Sequence, residues 1–196
     1  MTENVELTAS GLHALLAPLR LYAWADLDGN DELPPRRPGT YAWYFRRAVL
    51  PAIVPVDQAH GLDADWILLY VGIAPAKPSP TKAPSRKTLR SRLRFHFRGN
   101  ARGSTLRLTL GCTLGLTLVR IGTGDRLTFG PTEERLSAWL ATHARVCWLE
   151  HDRPWELEDH AIETLDLPFN LAGNQRHRFH ATLTQLRRDA KARALC

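Results

Sequence analysis

The chain has 196 residues, enough for one domain with modest additions, and 44% apolar residues suffice for a core, which excludes wholesale disorder. Its net charge is +6, and only Lys77, Lys82, Lys87 and Lys191 among its 26 basic residues are lysines, so the excess is arginine. The planar arginine fork grips phosphate, which favours a polyanion partner; a plain solubility charge is the bland alternative.

In chain order, Ser10 is a candidate cap for a short helix through Leu16, ended by Pro18. Residues 26–38, with acids, Gly and Pro, read as loop. Thr40–Phe45 is aromatic and β-prone, hence a strand, and residues 46–65 read as an insertion. Trp66–Val71 is a continuous apolar run suited to a buried strand. Residues 74–87 read as a mobile basic loop. Leu89, Leu93 and Phe97 recur at helical spacing over Thr88–Arg98, and Ser104 can cap a second helix covering Leu106, Leu110 and Leu114. Leu118–Ile121 and Leu127–Phe129 suggest short strands around a Gly-Thr-Gly-Asp turn. A helix then runs from Pro131–Thr132 to about Thr142, followed by a strand at Arg145–Glu150. Pro154 opens a helix through about Leu165, and a final basic helix spans about residues 179–193.

This order predicts an α/β (α+β) fold with a small central antiparallel-type sheet flanked by helices. No apolar run reaches the ~20 residues of a membrane helix, and Met-Thr-Glu-Asn is unlike a signal peptide's start. Cys112, Cys147 and Cys196 form no pairing pattern, so reduced thiols and a cytoplasmic location are expected. Phosphate-loop, dinucleotide and zinc-protease motifs are absent. His151, His160, His177 and His180 lack the cysteine set and spacing of a zinc site, and neither Cys112 nor Cys147 has a partnered His/Asn signature.

Gly39-Thr40-Tyr41 sits on the first strand and Tyr70-Val71-Gly72 ends the second. The arginine-rich helix around Leu89–Phe97 follows, then Glu158 and, twelve residues later, Asn170 after Leu167-Pro168-Phe169. These anchors, in this order, resemble the GIY-YIG nuclease superfamily over residues 39 to about 171. The resemblance implies a GIY-YIG-like core at 39–172 after an extension at 1–38. Insertions would lie at about 46–65 and 74–87, and an extra C-terminal helix at 173–196 would pack on the same domain. Three departures stand out. The gap between Tyr41 and Tyr70 is far longer than the family's short hairpin, and the segment after Gly72 is stretched. The lysine that closely follows the second glycine in repair relatives is missing; Lys77 is the nearest candidate to replace it.

What the resemblance implies chemically is metal-dependent phosphodiester hydrolysis. The needs are a base for water, positive charge on the phosphorane and help for the leaving oxygen. Tyr41 is the candidate base, and Tyr70 would hydrogen-bond the attacking water or the phosphate. Arg92 would contact the scissile phosphate. His96, one turn on, would position water or protonate the leaving group. Glu158 would hold a single Mg²⁺ (or Mn²⁺), since one carboxylate plus waters and substrate oxygens suits that ion, with Glu156 on a different helical face. Asn170 would tie down its loop or touch the phosphate. Arg90, Arg94, Arg98 and Lys77 are candidate nucleic-acid contacts, as is the last basic helix. DNA is the expected partner and RNA the alternative, with a monomer or weak dimer and no membrane. A catalytically inactive nucleic-acid-binding module of the same fold is the competing reading, and a protein-interaction domain is a third.

Overall fold

The computed structural model describes residues 2–81, 85–122 and 126–195, with side chains between residues 9 and 194 of those stretches. A three-stranded antiparallel sheet in the order β2-β1-β5 forms its centre, from β1 (Gly39–Arg46), β2 (Trp66–Ala74) and β5 (Ala144–Glu150). Helices cover both faces. The stripe Tyr41, Trp43 and Phe45 packs toward α3 (Leu89–Arg98), α4 (Thr105–Thr113), α5 (Thr132–His143) and α7 (His180–Leu195). Ala42 and Tyr44 point the other way, into a second cluster built with α1 (Thr2–Leu16) and α6 (Pro154–Thr164). Alternate residues of the middle strand thus feed two cores, so β1 is buried almost throughout rather than half-polar.

Alternation fails at one place in β2, and the failure positions a side chain. Trp43 pairs with Tyr70 but Tyr44 pairs with Leu68, so Leu69 is an extra residue, a β-bulge. Strict alternation would send Ile67 and Leu69 to one face and Tyr70 to the other. With the bulge, Ile67, Leu69 and Tyr70 all join the cluster that holds Tyr41, while Leu68 and Val71 join the opposite one. Bulges re-aim side chains in this way beside functional sites.

The bulge lies on an edge strand, and a loop secures it. Phe169 N–H donates to the Leu69 carbonyl at 3.0 Å. The Asn170 side chain accepts from Val71 N–H at 2.9 Å and donates to the Val71 carbonyl at 2.8 Å, standing in for a neighbouring strand. Between α3, α4 and α5, Arg107 is fully buried and its guanidinium binds the Glu133 carboxylate at 2.6 Å and the carbonyls of His96 and Phe97. Glu133 also accepts from Ala101 N–H and Phe129 N–H, so one ion pair joins three helices and a turn.

Several expectations are corrected. The first helix starts at Thr2, so Ser10 lies inside it and caps nothing. The 26–38 loop is preceded and entered by a short helix α2 (Trp24–Leu27), which an Asp26 carboxylate bonded to Ala23 N–H starts. Residues 46–65 carry structure of their own. They open with a 3-10 turn (Arg47–Val49), bury Val54, and lie along the β2 edge, where Leu68 N–H donates to the Gln58 carbonyl. The short strands are β3 (Val119–Arg120) and β4 (Leu127–Thr128), which pair. Of the Gly-Thr-Gly-Asp turn, residues 123–125 lie outside the described residues, as do 82–84 of the basic loop and Cys196. Cys112 and Cys147 are free and buried. No helix among the described residues is long and apolar enough to cross a membrane.

Candidate active site

The two glycines of the tripeptides are required by packing. Tyr41 pairs with Gly72 across β1 and β2, and its ring lies flat on that glycine: a Cβ there would stand 2.6 Å from the Tyr41 hydroxyl and 2.7 Å from its Cζ. A Cβ on Gly39 would strike the Leu149 carbonyl of β5 and a methyl of Leu89 on α3. Side-chain-free positions therefore let β5, α3 and the tyrosine ring close on the strand pair.

Tyr41, Tyr70, Arg92, Lys77 and Glu158 come together around one cavity of about 440 Å³, whose wall also includes Ser85, Lys87 and Gly103. Tyr70 and Glu158 are shared with an adjoining cavity of about 420 Å³ lined by Thr105, Asp159, Phe169 and Asn170. The tyrosine rings lie 6.5 Å apart. Burial pushes Tyr70 up to about 12, and Glu158 pushes in the same direction while Arg92 pulls back. Tyr41 is driven well above the ordinary tyrosine value, by burial first and then by Tyr70, with Arg92 opposing.

Behind Tyr41 stands His96, fully buried, with both ring nitrogens engaged. Its Nε2 is 2.8 Å from the Tyr41 hydroxyl and its Nδ1 2.7 Å from Ser104 Oγ. Ser104 is itself the N-cap of α4, accepting from Arg107 N–H at 3.1 Å. The hydroxyl has one proton, and Nδ1 is its only acceptor among the described residues. Ser104 donating to Nδ1 leaves the Nε2–H to donate to the Tyr41 oxygen. Burial, with Arg92 and Arg107 adding, holds His96 well below the usual histidine value, so the ring is neutral. His96, expected to position water or protonate the leaving group, does not line the cavity, and both its ring nitrogens are engaged by Tyr41 and Ser104.

Arg92 donates to the Gly103 carbonyl at 2.9 Å and lines the cavity. The neighbouring arginines on α3 point away from it. Arg90 is buried with Nε donating to the Pro34 carbonyl at 2.6 Å; Arg94 donates to the Asn30 carbonyl at 2.7 Å; Arg98 lies over the Trp24 ring near Asp28. Positions 90, 94 and 98 share one face of α3 and hold the 24–35 segment, whereas 92 and 96 share the opposite one. Arg90 and Arg94, expected as nucleic-acid contacts, each spend one nitrogen on a backbone carbonyl of the 24–35 segment, and neither lines the cavity. Lys77 lines the cavity and pairs with Asp159 at 2.8 Å on the surface. Asn170 ties down its loop, with its amide spent on Val71.

Glu158 is the orphan of the cavity. Its half-buried carboxylate has no hydrogen-bond or ion-pair partner among the described residues, and burial, with the Asp159 charge adding, pushes it up to about 7. An unpaired carboxylate at a cavity wall fits a divalent cation that keeps most of its waters. No group of three or more His, Cys, Asp or Glu suited to a metal occurs among the described residues, so Glu158 would be the protein ligand alone. Ser85, Lys87, Gly103 and Ser104 were not singled out for the site by sequence. Only Ser104 carried a signal, as a helix cap, and that signal does not reveal its partner.

The chain matches the family model described as GIY-YIG catalytic domain over residues 39–189. Neither the curated proteins nor the solved structures contain a significant match to it. The match runs from the first glycine of β1 into α7 and takes in every residue of the cavity. The chain belongs to the GIY-YIG family of nuclease domains, hydrolases of nucleic acid that generally use a divalent metal ion.

Proposed function

We propose that the chain is a DNA endonuclease that hydrolyses a phosphodiester in the cavity between β1, β2, α3 and α6. The observation that carries this reading is the convergence on a single cavity, from four separate elements, of two tyrosines, the Arg92 guanidinium and a carboxylate without a partner among the described residues. Arg92 would bind the scissile phosphate and neutralise charge that develops on its oxygens. Tyr41, as a tyrosinate whose own proton has first left to solvent through the cavity, would take the proton of the attacking water. Its oxygen receives the Nε2–H of His96, and that donor together with the Arg92 charge offsets the cost of a buried tyrosinate. His96 and Ser104 are thus positioning residues that fix the Tyr41 hydroxyl. Tyr70, re-aimed by the bulge, would orient the water or a phosphate oxygen. Lys77 and Lys87 would hold the strand at the rim. A divalent cation held by Glu158, Mg²⁺ or Mn²⁺, would supply Lewis-acid stabilisation to the phosphate and leaving oxygen.

The test is nicking of supercoiled plasmid and of single-stranded DNA and RNA oligonucleotides, with Mg²⁺ or Mn²⁺ and with EDTA. DNA cleavage that needs the ion and is lost in Arg92→Ala and Glu158→Ala is expected. Variants that cut as well as wild type would sink the mechanism, and preferential RNA cleavage would reassign the substrate. Salt-sensitive DNA binding without cleavage under any ion would favour the inactive binding module instead.

A further inference from the structure

Six arginines of this chain have half-buried or buried side chains, and five of them have acceptors. Arg90 donates to Pro34, Arg92 to Gly103, Arg94 to Asn30, Arg107 to Glu133 and Arg145 to the Ala144 carbonyl. Arg187 is the sixth, and it has no hydrogen-bond or ion-pair partner among the described residues. It is not a free surface residue. Leu183, Arg187, Ala190 and Ala194 follow one another at helical spacing on α7, and the other three belong to or pack on the core shared with Tyr70. That stripe lies against α4, whose first residue, Thr105, lines the cavity with Tyr70 and Glu158.

The titratable groups whose charges would act on Arg187 are Cys112 and Tyr70. Burial raises Tyr70 to about 12 and Cys112 to about 11, so both are neutral at pH 7. The other charges near Cys112, Lys191 and Arg193, are also positive. A partly desolvated guanidinium with no charged partner among the described residues is unfavourable until an anion joins it.

We infer that Arg187 seats a second, non-scissile phosphate of the bound strand beside Tyr70, so that the nucleic acid runs from Arg92 on α3 to the basic face of α7. The inference rests on the nuclease reading and adds to it a residue and a strand path. The planar fork can take two phosphate oxygens at once, which a lysine there could not.

The experiment is salt-dependent binding of a duplex oligonucleotide in metal-free buffer to wild type, Arg187→Met and Arg187→Lys. One lost phosphate contact lowers the slope of log K against log salt by about 0.9 for duplex DNA. Arg187→Met should show that loss and Arg187→Lys should restore the slope with weaker binding. An unchanged slope in Arg187→Met overturns the assignment. A second measurement needs only wild type: DNA should protect Arg187 from phenylglyoxal, read by mass spectrometry, and equal modification with and without DNA overturns the assignment even if the variants do not fold. Failure of wild type to bind or cut DNA would instead remove the nuclease reading beneath it.

Discussion

Replacing Glu158 with glutamine removes a charge that the fold does not neutralise. The substitution keeps shape and hydrogen-bonding capacity, so packing around α6 is preserved. Burial raises the carboxyl from 4.5 to about 7, and each tenfold change in proton affinity corresponds to ~1.4 kcal/mol, so ionising Glu158 in the folded protein costs about 3 kcal/mol. The sign follows from linkage. A folded-state value above the unfolded one means that folding binds the proton, so this contribution is fully present below pH 4.5 and is lost as pH rises through about 7. Glu158→Gln has no such loss. Urea unfolding of both proteins in EDTA should give equal stabilities near pH 4.5 and a gap of about 3 kcal/mol in favour of the variant at pH 8. Every other titrating group is common to both and cancels in the difference. Adding Mg²⁺ should then stabilise wild type alone, by ~2.7 kcal/mol at a hundredfold excess over its dissociation constant. Parallel stability curves from pH 4.5 to 8, or equal Mg²⁺ stabilisation of the two proteins, would refute the argument that this carboxylate is desolvated, unpaired and available to a cation.

Arg92→Ala should lower single-turnover DNA cleavage by about 10²–10³-fold with little effect on melting, because its bond to the Gly103 carbonyl lies at the cavity wall rather than in the core. Ser104→Ala removes a helix cap and strands the buried Nδ1 of His96, so unfolding in urea should show a loss of about 2–4 kcal/mol. Cleavage by the folded fraction of that variant should also fall, since Tyr41 loses its fixed partner. Asn170→Leu leaves both polar groups of Val71 without partners and should cost about 2–4 kcal/mol by the same measurement, whereas Asn170→Asp, which still accepts from Val71 N–H, should cost less.

Elements with a clear period were legible in the sequence. The aromatic run of β1, the apolar run of β2 and the Leu89, Leu93, Phe97 spacing of α3 each state a burial pattern that the tertiary structure obeys. The start of α1 was not legible, because Ser10 is a good cap by chemistry and nothing local records that the helix has already begun at Thr2. The short α2 was likewise hidden, since four residues carry less than two helical turns of pattern.

The site divides along the same line, between what neighbours in sequence decide and what distant segments decide. Tyr41 and Gly72 are visible as a motif, but the reason they belong together is that one ring needs the space above one particular glycine on the paired strand. Arg90, Arg92, Arg94 and Arg98 look equivalent along α3, and they differ because the 24–35 segment covers one helical face and leaves Arg92 on the other. Tyr70 ends a continuous apolar run that says nothing of which way it points, and the extra Leu69 turns it toward Tyr41. Leu69 can remain extra because Phe169 and Asn170, a hundred residues later in the chain, occupy the edge that the bulge exposes. The loop after α6 therefore fixes Tyr70 on one side while α6 itself presents Glu158 on the other. A single segment thus sets both the tyrosine and the carboxylate of the cavity, and a substitution that loosens Asn170 should displace them together rather than one at a time.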